Sequence, residues 1–217
     1  MKKTMFILSA MLITLSVQAQ VGVRFGAKAG LNVSQIGGGT MEIDGETNDV
    51  DASDMLLGFH IGGVANFSLT DRFGLQPEIL FSMQGESEGE GSNVVKTTLS
   101  FINIPVLLDI KPLPGLSIFV GPQFGINVLR SMSSDGVSVS GTTLDDALAV
   151  RGVKVNPVDV AAVLGVQYTF IDHLTVGARY NFGFTSSMGV TDEGKDAGRS
   201  VSGGAHRVIQ LSVGWLF

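Results

Sequence analysis

Eight stretches of the chain alternate apolar residues with polar or small ones at a period of two. The last is the clearest: Ile209, Leu211, Val213, Trp215 and Phe217 are apolar, and Gln210, Ser212 and Gly214 between them are polar or small. Successive side chains of a β-strand point to opposite faces, so such a stretch is a strand with one greasy face. Residues 23–33, 57–69, 73–84, 101–110, 116–128, 159–170 and 174–184 repeat the pattern. Most run to about 10 residues or more, against roughly 5–6 for a globular strand, and that suffices for a tilted membrane crossing. Connections alternate in length. Thr70-Asp71-Arg72, Lys111-Pro112-Leu113-Pro114 and Ile171-Asp172-His173 are tight turns. Residues 35–54, 85–96, 130–157 and 186–205 are long polar loops. The expectation is an all-β fold: an eight-stranded antiparallel up-and-down transmembrane β-barrel, with short turns at one rim and loops at the other. No helix-length apolar period stands out; residues 145–150 are compatible with a short helical turn but are not read as one.

The two faces differ in kind. Phe59, Ile61, Leu164, Val166, Val176 and Tyr180 fall on the apolar face, which is expected to meet lipid. Outward aromatics near the short turns (Phe25, Phe67, Phe73, Tyr168, Phe170, Trp215, Phe217) would form one interfacial girdle. Tyr180, Phe182, Phe184, Phe59 and Phe81 would form part of the other. A soluble lipocalin-like barrel shares the alternation but keeps its large apolar residues inside. Charges on the small-residue face and an aromatic terminus count against it.

The other end of the chain agrees with export. Met1-Lys2-Lys3 is basic, residues 5–17 are mostly apolar, and Val17-Gln18-Ala19 places small residues at the −3 and −1 positions. This reads as a signal peptide over residues 1–19, followed by a barrel over residues 20–217. No Cys follows the apolar run, so lipoprotein anchoring is not expected, and the chain has no Cys at all. Losing Lys2 and Lys3 with the leader would take the formal charge from −6 to −8, which argues against a nucleic-acid partner. Hydrophobic residues make up 44% and charged ones only 16%, with 29 glycines. Beyond the leader no segment approaches the roughly 20 apolar residues of a membrane helix, so a mean hydropathy of +0.34 must be hidden in the alternation.

Several motifs carry a family likeness. Leu75-Gln76-Pro77-Glu78-Ile79-Leu80-Phe81-Ser82 follows a Gly-rich second strand. Phe101-Ile102-Asn103-Ile104-Pro105-Val106-Leu107-Leu108, Val120-Gly121-Pro122-Gln123-Phe124-Gly125 and Arg179-Tyr180-Asn181-Phe182-Gly183 come after it in order. Over essentially the whole mature chain this resembles the outer membrane protein beta-barrel, or PorT-like, family of Bacteroidetes. Many members carry an acidic residue where Asn103 stands. The resemblance implies an eight-stranded barrel in the cell outer membrane, in contact with lipid bilayer and lipopolysaccharide. It does not imply one activity; a named member is needed for protein secretion, so an envelope or secretion protein is a candidate partner. The last strand also resembles that of Gram-negative outer-membrane barrels. There the terminal aromatic is read by the outer-membrane insertion machinery, which gives Trp215 and Phe217 that role here.

Candidate chemistry centres on the small-residue face. Arg24, Lys28, His60, Glu78, Asp109, Asp159 and Arg179 all lie on it. An eight-stranded barrel has an interior only wide enough for side chains to fill, and a buried charge must find a partner. A structural luminal network of Arg24, Lys28, Glu78, Asp109, Asp159 and Arg179 is therefore expected. Arg24 and Arg179 should approach one another because strands one, eight and seven are neighbours, with acidic groups reaching across the bore. A gated narrow ion path is the alternative. Catalysis is not expected: His60, His173 and His206 have no Ser or acid partner at a motif spacing. His206 reads as a hydrogen-bonding rim histidine, and a lipid-modifying site with Asp192, Glu193 or Ser200 is the weaker reading. Glu42, Asp44, Glu46, Asp49, Asp51 and Asp54, then Glu86, Glu88 and Glu90, make two loops acidic. Residues 49–54 resemble the start of a calcium loop but lack its Gly at position six and its Glu at twelve. No cofactor or metal is expected: the acidic loops read as solvated, with weak divalent-cation bridging to lipopolysaccharide as the functional alternative.

Overall fold

Eight long strands close on themselves in the computed structural model, which describes residues 22–37, 39–43, 46–50, 54–88, 95–134, 137–149, 153–186, 188–192 and 200–217. The expected signal peptide, residues 1–19, lies outside them. The wall consists of β1 (Gly22–Ile36), β4 (Asp54–Ser68), β5 (Phe73–Glu88), β6 (Val95–Leu113), β7 (Leu116–Ser134), β10 (Val158–Phe170), β11 (Leu174–Ser186) and β14 (Ala205–Leu216). Each pairs antiparallel with the next, and β14 returns to β1 with Leu31 opposite Leu211. All eight expected strands are present in the expected order. The circuit is staggered. Stepping from Asn32 through Gln210, Arg179, Gly165, Phe119, Asp109, Gly74 and Ser68 returns to β1 at Gly22, ten residues earlier. That shear tilts the strands by the roughly 35–45° usual in small barrels.

The wall sorts its side chains as the alternation requires. Leu164, Ile61 and Leu211 point out and are more than half exposed, while Gln210, Asn32 and Leu107 point in and are sealed. An outward belt of Leu, Ile, Val and Phe with a polar interior is the reverse of a soluble barrel. At the short-turn rim the chain reverses tightly. Ile171 and Asp172 both take positive φ, 50° and 61°, and His173 N–H donates to Phe170 O at 3.2 Å, as in a type I′ turn.

The long-loop rim holds more order than the sequence suggests. Wall strands overrun the expected ends: β5 reaches Glu88, and β6 begins at Val95. One residue of β7, Val128, is bulged against β6, since Ser100 pairs with Leu129 and Phe101 with Asn127. Past the bulge Arg130 turns inward. Beyond the wall, β2 (Gly39–Ile43) pairs with β3 (Glu46–Val50) and β13 (Ser200–Gly203). β8 (Val137–Ser140) extends the wall sheet past β7, and β9 (Val153–Val155) pairs with β12 (Met188–Val190). Residues 145–150, not read as helix, belong in part to α1 (Thr142–Ala149). Asp145 in its first turn complements the helix dipole and accepts from Arg130 Nη2 at 2.6 Å, tying the helix to β7.

Candidate functional site: the luminal plug

One carboxylate holds the waist of the barrel. Glu78 on β5 points inward because its strand parity does, and it meets cations from two other strands. Lys28 Nζ on β1 donates to Glu78 Oε2 at 3.1 Å. Arg179 on β11, four strands away around the wall, donates through Nη1 and Nη2 to Oε2 and Oε1 at 2.8 and 2.7 Å. This two-pronged geometry is the strong form of the ion pair, and it spans the bore. The Arg179 guanidinium also lies 4.9 Å from the centre of the Phe119 ring. Glu78, Lys28 and Arg179 are all sealed from solvent, so in this dry interior the three charges depend on one another.

A ladder of neutral amides extends the plug toward the short-turn rim. Gln76 Nε2 donates to Glu78 Oε1 at 2.7 Å, and Asn66 Nδ2 donates to Gln76 Oε1 and to Asp109 Oδ2, both at 2.9 Å. Lys111 Nζ stands 3.6 Å from Asp109. On the loop side Asn32 is the hub. His60 Nδ1–H and Gln210 Nε2 donate to its Oδ1 at 2.7 and 3.1 Å, and its amide nitrogen donates to Ser82 Oγ at 3.0 Å. Ser82 Oγ accepts again from Gln84.

The expected network therefore divides. Lys28, Glu78 and Arg179 come together; Asp109 joins them only through amides and has its own cation. Asp159 accepts from the Thr185 hydroxyl at 2.7 Å, away from the waist. Arg24 does not approach Arg179. The stagger sets Arg179 opposite Gln210 and thus near Asn32, eight residues along β1 from Arg24. Arg24 instead donates to Asp172 O at 3.1 Å and fastens the turn at the rim. It is Lys28 that meets Arg179, through Glu78.

His206 is a second correction. It is not a rim residue: even positions of β14 point inward, and its ring packs edge-on against Phe101 from the opposite wall at 5.4 Å. Neither ring nitrogen has a hydrogen-bond partner among the described residues; Glu193 and the side chain of Ser200 lie outside them. Phe101 clusters with Leu99 and with Val155 of β9, so an apolar roof closes the bore on the loop side. Gly125 faces the lumen between Asn103 and Asp159, and a Cβ there would come within 2.6 Å of Asn103 Oδ1. Among the described residues neither amide atom of Asn103 or of Asn181 has a partner, and all four are buried. Such groups are polar enough to hold bound water.

The amide ladder (Asn32, Asn66, Gln76, Gln210) escaped the sequence reading, which attended to charges. The signal was available, because every member sits on the lumen parity of its strand. At the C-terminus Trp215 stacks on His173 at 5.4 Å, His173 Nδ1–H donates to Leu216 O at 2.7 Å, and Phe217 N–H donates to Phe25 O at 2.7 Å. The tight-turn histidine thus locks the last strand. Among the described residues no group of three His, Cys, Asp or Glu is placed to hold a metal. Of the calcium-loop-like stretch, residues 51–53 lie outside the described residues.

The model of the family described as "Outer membrane protein beta-barrel domain" matches residues 18–189. Among solved structures, neisserial surface protein A aligns over 90% of this chain and 97% of its own, at 13% identity and a TM-score of 0.50. Ail of Yersinia pestis aligns over 89% and 98%, at 13% identity and 0.48. OprG of Pseudomonas aeruginosa aligns over 89% and 95%, at 13% identity and 0.46. At 13% identity the likeness to neisserial surface protein A speaks to fold alone. No curated protein matches the chain in sequence.

Proposed function

The chain belongs to the outer membrane protein beta-barrel domain family, and on that footing we propose that it works through its outer surface and not through its bore, as a plugged and non-catalytic barrel. It is a small β-barrel of the outer membrane. The observation that carries the proposal is the Lys28–Glu78–Arg179 clamp across the waist. A transport path needs a wet, open constriction, whereas these side chains and the Phe101–His206–Val155 roof fill the lumen at two levels. What remains for interaction is the outer rim, where wall strands continue into the β13-β2-β3 sheet and the β9–β12 ribbon.

The rim fits two classes of neighbour. Lipopolysaccharide surrounds it, and the acidic residues of the first two loops support bridging by divalent cations. The motifs shared with the PorT-like barrels of Bacteroidetes favour a protein of the envelope as the functional partner, secretion components included. Insertion machinery that reads Trp215 and Phe217 completes the set. Photo-cross-linking from residues placed in 39–50 and 200–203 of the native membrane-embedded protein tests the proposal. Cross-links to a secretion or envelope component should vanish when both segments are replaced by Gly-Ser linkers, while the barrel still runs faster unheated than boiled. Cross-links that persist after replacement would contradict the role of the rim.

A further inference from the structure

The wall carries a defect that the family-like motifs share. Between β4 and β5 the pairing runs from His60 opposite Ser82 to Val64 opposite Glu78 and resumes only at Phe67 opposite Leu75. Between β5 and β6 it breaks after Pro77 opposite Val106 and resumes at Leu80 opposite Asn103. Between β6 and β7 it breaks after Pro105 opposite Gln123 and resumes at Leu108 opposite Val120. Each gap has a proline in it. Pro77 stands opposite Ala65, Pro105 opposite Glu78 and Pro122 opposite Val106, and proline has no N–H to give. The carbonyls of Ala65, Glu78 and Val106 thereby lose their ladder donor.

These three losses are contiguous. Pro77 adjoins Glu78 and Pro105 adjoins Val106, so the gaps step diagonally across four consecutive strands. By contrast the β1–β4 and β10–β11 ladders run without a break from Gly22 to Ser34 and from Ala161 to Phe170. Proline is normally confined to edge strands and bulges, and within hydrocarbon a missing backbone bond is more costly than in water. A wall that keeps three of them in one line departs from the local rules where function usually lies. Directly behind the seam the lumen changes character. Leu107, Phe119 and Val163 form a sealed apolar cluster, while the buried side chains of β1, β4, β5 and β14 are mostly polar or charged. In front of the seam Ile79 and Ile104 face lipid.

We propose that the Pro77–Pro105–Pro122 seam is a lateral site for an acyl chain of a membrane lipid. The wall parts along the seam, and the chain lies against Leu107, Phe119 and Val163. The ligand class follows from the surroundings: outside the seam is hydrocarbon, inside is an apolar cluster, and the charges beside it are already engaged, Glu78 with Arg179 and Lys28 and Asp109 with Asn66 and Lys111. The site stands whether or not the outer rim binds a partner.

The test uses the full mature protein in vesicles of phosphatidylcholine carrying a diazirine in the acyl chain, with labelled residues identified by mass spectrometry. Label should appear on inward-facing Leu107, Phe119 and Val163 as well as on outward-facing residues, and not on inward-facing Gln167 or Ser212. Pro77→Ala, Pro105→Ala and Pro122→Ala together return three N–H donors and should bring the inner labelling to background while outer labelling stays. If the triple variant does not fold, Pro105→Ala alone should lower labelling of Leu107. A second arm carries the diazirine on a free fatty acid; inner label from the free acid only would overturn the lipid assignment. No inner label in the wild type, or equal label in wild type and variants, would overturn the site itself.

Discussion

Replacing Glu78 by Gln isolates the plug, because Gln keeps the volume and removes the charge. The carboxylate accepts five contacts: Arg179 twice at 2.7 and 2.8 Å, Lys28 at 3.1 and 3.4 Å, and Gln76 at 2.7 Å. In Glu78→Gln one oxygen becomes an NH₂ that points a donor at a cation, and two buried cations lose their only shared anion. Removing one partner of a buried pair costs about 3–5 kcal/mol, and the upper part of that range applies because two cations are stranded. Lys28→Met leaves the two-pronged Arg179 pair intact and should cost less, about 1.5–3 kcal/mol for lost charged hydrogen bonds. Arg179→Met should fall between, since it also frees the Phe119 ring. Adding Arg179→Met to Glu78→Gln leaves one stranded cation instead of two, so the double variant should recover about 1–3 kcal/mol relative to additivity. The assay is denaturant unfolding in lipid, read by the single tryptophan, Trp215, and by the gel shift between unheated and boiled protein. Glu78→Gln unfolding at the wild-type denaturant concentration would refute the plug as a structural element.

Other consequences are simpler to read. Arg at Leu164 or Val176, on the outward face, should cost about 2–4 kcal/mol, whereas inward Thr175→Ser should be nearly neutral; equal sensitivity of both faces in the same unfolding assay would favour a soluble barrel. Arg24→Ala should shift stability by less than about 1 kcal/mol, as an exposed rim contact does, and a shift as large as that of Glu78→Gln would return Arg24 to the plug. Trp215→Ala with Phe217 deleted should lower the fraction of chain inserted in cells far more than stability in detergent; equal losses would assign these residues to packing on His173 alone.

The wall was legible in the sequence because a membrane forces strict alternation on every residue of a crossing. Leu164, Val166 and Tyr168 have no choice but to face lipid once Gly165 and Gln167 face in. Legibility ended where lipid ended. The outer ends of β5, β6 and β7 mix Ser, Thr, Glu and Lys with Val, Leu and Met at both parities, so no periodicity marks them as strand. α1 was missed for the same reason: eight residues anchored by Arg130 need little amphipathic period. In the lumen, the identity of the inward charges was readable but their partners were not. Partnership depends on the shear, and a stagger of ten residues moves Arg24 away from Arg179 and brings Lys28 to Glu78. His206 was misplaced because its neighbouring loop suggested a rim, while its parity already pointed inward.

Ion conductance across a planar bilayer containing the purified, folded protein tests the central claim most directly. With the Lys28–Glu78–Arg179 clamp and the Phe101 roof in place the wild type should pass no current above that of the bare membrane, and Glu78→Gln combined with Phe101→Ala, which opens both levels, should introduce small, stepwise conductance. Steady wild-type conductance that the double variant leaves unchanged would contradict a lumen closed at those two levels.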